Sequence, residues 1–181
     1  MLRKTIKNIA LLDLQNFTAE ALREIKKIES CAMLLVPKNA SDEWKNAYAK
    51  ITIRNVASII EVSYSKYSVL NGMVILNDKN VSDDCLYIVN GIIILETVEK
   101  IPDLCVNGLL LKRKKSRYEM TRMNGRSVEV EDNVVIKPYP NTIEIDGDTV
   151  RSFDYNTLVA AGNNVDIDND VTEQMLSDKK I

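Results

Sequence analysis

The chain has 181 residues, 45% of them hydrophobic, and a formal net charge of −2, enough apolar content for a core covering about 70% of the unfolded surface without a disulfide or metal. It contains no histidine, which excludes Ser-His-Asp and Cys-His chemistry and any histidine-dependent zinc site within this chain. The near-neutral charge argues against a surface that attracts nucleic acid as a whole.

In chain order, the first apolar segment carries Asn8 and Leu12. Thr18 then stands as a helix N-cap, with Glu20 in the first turn and Ala21, Ile25 and Ile28 on one helical face. A second helix is predicted from Ser41, Asp42 and Glu43, carrying Trp44 and Tyr48 at i and i+4. Beyond it, Leu70-Asn71-Gly72-Met73-Val74-Ile75-Leu76, Val89-Asn90-Gly91-Ile92-Ile93-Ile94-Leu95 and Val106-Asn107-Gly108-Leu109-Leu110-Leu111 share an Asn, a Gly and an apolar run, and Met123-Asn124-Gly125 begins a degraded fourth copy.

Extended over the chain, this repeat gives a column of Asn8, Cys31, Asn55, Asn71, Asn90, Asn107, Asn124 and Asp146. Four positions later stands an apolar column of Leu12, Leu35, Ile59, Ile75, Ile94, Leu111, Val128 and Val150. Five of the six glycines directly follow the first column. Each Asn-Gly also fits the type I′ turn of a β-hairpin, but a hairpin with one solvated face alternates, whereas Ile92–Leu95 and Leu109–Leu111 are unbroken apolar runs. The pattern therefore favours a solenoid, in which stacked side-chain amides satisfy one bend in every coil. Asn8, Asn55, Asn71, Asn90, Asn107 and Asn124 form its structural ladder.

This asparagine column beside short apolar strands resembles leucine-rich-repeat solenoids over about two thirds of the chain, although here the apolar run follows the Asn instead of preceding it. The resemblance implies only a parallel strand stack with variable outer segments. The expected fold is thus one α/β to mainly β solenoid domain of about eight irregular coils. Helix-containing coils occupy residues 1–50, strand-rich coils 51–126, and a β-rich end with a short capping helix 127–181. The alternative is a right-handed β-helix or an antiparallel β meander in the C-terminal third. In that third Asp170 with Glu173 reads as a capping box before Met175 and Leu176.

The cysteines Cys31, Cys85 and Cys105 are odd in number and lack a C-x-x-C pair. That reads as buried, reduced thiols in a cytoplasmic protein. Apolar runs are too short to span a bilayer, so no membrane insertion is expected. Nor is any cofactor or metal: Asp166-Ile167-Asp168-Asn169-Asp170 resembles half a calcium loop, but Val171 and Ser177 stand where Gly and Glu belong. Residues 112–126 hold seven basic side chains and one acidic, whereas residues 127–181 hold twelve acidic and four basic. Within the basic run Lys112, Arg113, Lys114, Lys115 and Arg117 form a possible anion-binding set beside Tyr118. Glu129 with Glu131, and Glu144 with Asp146, read as solvated strand faces, and Tyr64 and Tyr67 as packing or surface contacts.

With no catalytic motif, the sequence points to a non-enzymatic protein-interaction or scaffolding module that binds a protein partner or copies of itself. A carboxylate-dependent carbohydrate-active enzyme on a β-helix is the alternative. An anion or nucleic-acid binder using residues 112–126 is the third reading.

Overall fold

The computed structural model describes residues 4–63 and 66–181, so Tyr64 lies outside the described residues. The fold is mainly β, with parallel sheets and few helices. The chain divides into two compact units, Met1–Ser65 and Lys66–Ile181.

In the first unit β1 (Lys4–Asp13), β2 (Ile25–Pro37) and β3 (Thr52–Val62) form a parallel sheet in that order, joined by α1 (Ala19–Arg23) and α2 (Asp42–Tyr48). Thr18 Oγ1 accepts from Ala21 N and Ser41 Oγ from Trp44 N, so each helix begins on a hydroxyl that satisfies a free backbone donor. The first helix is shorter than its periodicity predicts: it ends at Arg23, and Ile25 and Ile28 belong to β2. Parallel pairing of β2 with β1 explains this, because the β-branched isoleucines fit a strand and bury their side chains there. The core holds Leu14, Leu22, Ile28 and Leu34 with no exposure, each worth about 2 kcal/mol of apolar transfer. Trp44 closes it, stacked on Tyr48 at 5.0 Å and donating through Nε1 to the Phe17 carbonyl at 3.0 Å.

In the second unit β4 (Lys66–Asn77), β5 (Cys85–Glu96), β6 (Asp103–Arg113) and β7 (Glu119–Val130) pair in parallel, in sequence order. Each strand continues through its Asn-Gly with its parallel pairing unbroken, which rules out the hairpin reading. The unbroken apolar runs have a direct cause. On one side Ile93, Leu95 and Leu110 join a core with Tyr87, Val89, Leu104 and Val106. On the other, Ile92, Ile94, Leu109 and Leu111 are covered by Val130, Val134, Ile136, Leu158 and Ala160 from the C-terminal segments. Parallel strands covered on both faces read as continuous hydrophobic sequence.

The C-terminal part consists of β8 (Val135–Tyr139), β9 (Ile143–Ile145), α3 (Gly147–Ser152), β10 (Thr157–Ala161), β11 (Val165–Ile167) and α4 (Glu173–Lys179). β10 pairs with β8 and β11 with β9, both in parallel. The antiparallel meander is therefore corrected to two further parallel pairs. The final helix is also capped differently from the sequence expectation. Thr172 Oγ1 accepts from Met175 N, while the Asp170 carboxylate accepts from Gly147 N at 3.0 and 3.1 Å. Met175 and Leu176 pack on a core of Ile143, Ile145, Val150 and Phe153.

Candidate functional site

The repeat places its marker residues side by side. Asn71, Asn90, Asn107 and Asn124 are direct partners across β4, β5, β6 and β7, as are Gly72, Gly91, Gly108 and Gly125. Asn107 Nδ2 donates to Asn90 Oδ1 at 2.8 Å, and Asn90 Nδ2 donates to Asn71 Oδ1 at 3.0 Å. The amide chain thus has a direction from β6 through β5 to β4, each later strand donating to the earlier one, while Asn124 of β7 stands beside Asn107 without such a bond among the described residues.

The glycines let backbones approach where no Cβ fits. A Cβ on Gly91, where φ is +135°, would stand 2.2 Å from the Gly72 carbonyl oxygen, and one on Gly108 2.0 Å from that of Gly91. Strain and overlap coincide here, so the position demands glycine. At Gly72, the first of the series, a Cβ would meet nothing within 4 Å.

The first unit makes the same bend by another means. Asn8, Ser30 and Asn55 take φ of 59°, 54° and 51°, the left-handed region that Asn tolerates through local hydrogen bonding. Lys7 pairs with Glu29 and Glu29 with Arg54, which puts Ser30, not Cys31, beside Asn8 and Asn55. Cys31 instead points into the core. The apolar column shifts likewise, Leu12 facing Leu34 and Leu34 facing Ile59.

Acidic side chains tie neighbouring connections together. The Asp78 carboxylate, before β5, accepts from the backbone N–H groups of Lys100, Val98 and Glu99 at 2.9, 3.1 and 3.1 Å. These bonds, that from Lys100 foremost, hold its carboxyl below the usual carboxylate range. Lys100 Nζ returns a bond to the Val81 carbonyl at 2.6 Å, and Asp83 accepts from Ile101 N at 2.6 Å. Asp103, buried on β6, accepts from the Thr121 hydroxyl and amide.

The basic run is answered from within its own unit. Lys112 bonds Glu129 at 3.0 Å, which raises the lysine pKa, and lies over the Tyr118 ring. Arg113 donates to the carbonyls of Glu131 and Val134 at 2.8 and 2.7 Å and faces Glu96 at 3.5 Å, while Lys115 meets Asp132 at 3.7 Å. Lys114 and Arg117 are exposed. Between these groups lies a cleft of about 300 Å³ lined by Glu96, Val98, Arg113, Lys115, Ser116 and Asp132. Its two carboxylates stand against two cations, so the cleft presents charge of both signs.

Other sequence candidates have structural work. Glu129 is the partner of Lys112, and Asp146 is no ladder member: it N-caps α3, bonded to Thr149 above all, which lowers its carboxyl pKa. Val150 is accordingly in a helix. Among the described residues no group of three His, Cys, Asp or Glu side chains is arranged to hold a metal ion. No described helix is long and apolar enough to cross a membrane. Cys31, Cys85 and Cys105 are free and buried, and burial raises the thiol pKa of Cys85 and Cys105.

One regularity escaped the sequence reading. Val135 pairs with Thr157 and Ile143 with Val165, a second repeat in which Asn141-Thr142-Ile143-Glu144-Ile145-Asp146 matches Asn163-Asn164-Val165-Asp166-Ile167-Asp168. Its signal was present in the alternating Ile-Glu-Ile and Val-Asp-Ile strands. Asp146-Gly147 masks it by imitating one more copy of the Asn-Gly repeat. Comparisons of the chain with protein-family models, with curated proteins and with solved structures return no match.

Proposed function

We propose that the chain is a non-enzymatic protein-interaction or scaffolding module built on an irregular solenoid. The observation that supports this most is the in-register stack of four Asn-Gly bends, because identical bends at successive strands are how a chain winds coil upon coil. In this reading Asp78, Asp83 and Asp103 are braces between coils. Lys112, Arg113 and Lys115 are committed to the segment that follows them, which leaves the exposed Lys114, Arg117 and Arg126 as a small basis for anion binding. A rigid stack with long strand edges suits recognition by main-chain pairing and surface contact.

The cleft supports one competing reading. Glu96 and Asp132 share it, as a carboxylate-dependent enzyme would require, but each faces a cation instead of a free partner acid. The test is incubation of the purified chain with a panel of neutral and acidic polysaccharides, beside the double variant E96Q/D132N. No released reducing ends from either protein is the expected result. Hydrolysis by the wild type that disappears in the variant would overturn the module reading in favour of the enzyme.

A further inference from the structure

The cleft of the second unit is built where three successive strands end. Glu96 closes β5 and Val98 follows it, Arg113 closes β6 with Lys115 and Ser116 after it, and Asp132 follows β7. All six residues belong to one compact unit, so the cleft is defined without reference to the other. Its volume of about 300 Å³ stands at the small end of the range for ligand pockets.

The charges in it are paired loosely. Charge-assisted N–H···O bonds run at about 2.7–2.9 Å, whereas Arg113 Nη2 stands 3.5 Å from Glu96 and Lys115 Nζ stands 3.7 Å from Asp132. One cation is nevertheless fixed in place. Arg113 Nη1 is anchored on the Glu131 and Val134 carbonyls, and the side chain is only 14% exposed. Its Nη2 is left with the long contact to Glu96. Lys115, Asp132 and Glu96 are 59%, 53% and 41% exposed, so these three side chains are free to turn toward a guest. Val98, exposed beside them, adds an apolar wall.

This lining selects against ligands of a single charge. An anion alone meets Glu96 and Asp132, a cation alone meets Arg113 and Lys115, and each is repelled by half of the charged groups. A ligand that carries both charges exchanges partners instead. Its ammonium takes the place of Lys115 at Asp132 while its carboxylate takes the place of Asp132 at Lys115, and the pair of Arg113 and Glu96 opens in the same way, so no charge is left unpaired. We propose that the cleft is a binding site for a small zwitterion of the α-amino-acid class. Glu96 and Asp132 receive the ammonium, Arg113 and Lys115 the carboxylate, and an apolar side chain lies on Val98. The site goes beyond the interaction-module reading and does not depend on it.

The test is a titration of the full, isotope-labelled chain with L-leucine, followed through its backbone amide shifts. Saturable changes centred on Val98, Lys115, Ser116 and Asp132 are the expected result. Isocaproate and isoamylamine carry the same side chain with one charge each, and each should bind about fivefold more weakly, the worth of one exposed ion pair. Two variants at exposed positions then probe the charges one at a time, the amide spectrum itself confirming that each is folded. Glu96→Gln should weaken leucine and shift selectivity toward isocaproate, and Lys115→Gln should shift it toward isoamylamine. A merely structural role would change the three affinities alike. The absence of a saturable response to leucine overturns the proposal, as do equal responses to the three ligands or a selectivity that neither variant moves. Such a failure leaves the module reading standing, since that reading is tested by the polysaccharide panel.

Discussion

Replacing Gly91 by alanine probes the stacked bends most sharply. The added Cβ would lie 2.2 Å from the Gly72 carbonyl oxygen and 2.9 Å from its carbon, and both are backbone atoms of a paired strand that cannot swing aside. Overpacking of this kind costs about 1–3 kcal/mol, and holding a non-glycine residue at a positive φ costs about 1–3 kcal/mol more. The stiffer unfolded chain returns about 0.4–1 kcal/mol, so the net destabilisation expected is about 3 kcal/mol at the midpoints of these ranges. Gly72→Ala is the control: its φ is +80° but its Cβ meets nothing within 4 Å, which leaves a loss of about 1 kcal/mol. Trp44, the single tryptophan, lies in the first unit, so its fluorescence does not report the strands in question. Hydrogen exchange of the β5 and β6 amides, followed by mass spectrometry across a urea series, does. Equal losses at the two glycines would refute the close-approach argument, and so would a negligible loss at Gly91.

Further outcomes follow from the same geometry. Asn90→Ala removes a donor and an acceptor from the amide chain and should cost about 1–2 kcal/mol by urea denaturation, with Asn124→Ala costing less; equal costs would remove the ladder as a source of stability. Asp78, whose carboxyl pKa is depressed in the fold, contributes stability that is present above its unfolded value of about 4 and lost as pH falls through the lower folded value. The gap in urea midpoint between wild type and Asp78→Ala should therefore be open at neutral pH and narrow below about pH 4, and a gap that widens with acid would contradict this. Because all three cysteines are buried, the native chain should react slowly with a thiol reagent and quickly in denaturant; rapid native labelling of Cys31 and Cys105 would contradict their placement.

Much of the second unit was legible because its strands repeat one local problem. Asn71, Asn90, Asn107 and Asn124 recur with a following glycine and an apolar run, and the physics that aligns them in space also spaces them in sequence. The first unit was legible only to within one residue. There the left-handed bend falls on Asn8, Ser30 and Asn55 themselves, and serine at the middle position carries no repeat signal that separates it from Cys31. The early end of α1 was hidden because Ile25 and Ile28 satisfy a helical period and a strand equally well, and only pairing with β1 decides between them. The cleft was not legible at all, since Glu96 and Asp132 come from segments whose proximity depends on how the strands stack. Nor was the internal neutralisation of the basic run, although Glu129 and Asp132 lie only 17 residues beyond Lys112 and Lys115.

The central claim is that the Asn-Gly pairs are bends inside parallel, in-register strands. Solution NMR on isotope-labelled protein tests it through backbone proton contacts around Asn90. The account expects Val89 to have Leu70 on one side and Val106 on the other, each at the strand spacing of about 4.8 Å, with Asn71, Asn90 and Asn107 forming the next row. Cross-strand contacts between Val89 and Ile92, closing a two-residue hairpin over Asn90-Gly91, would contradict it.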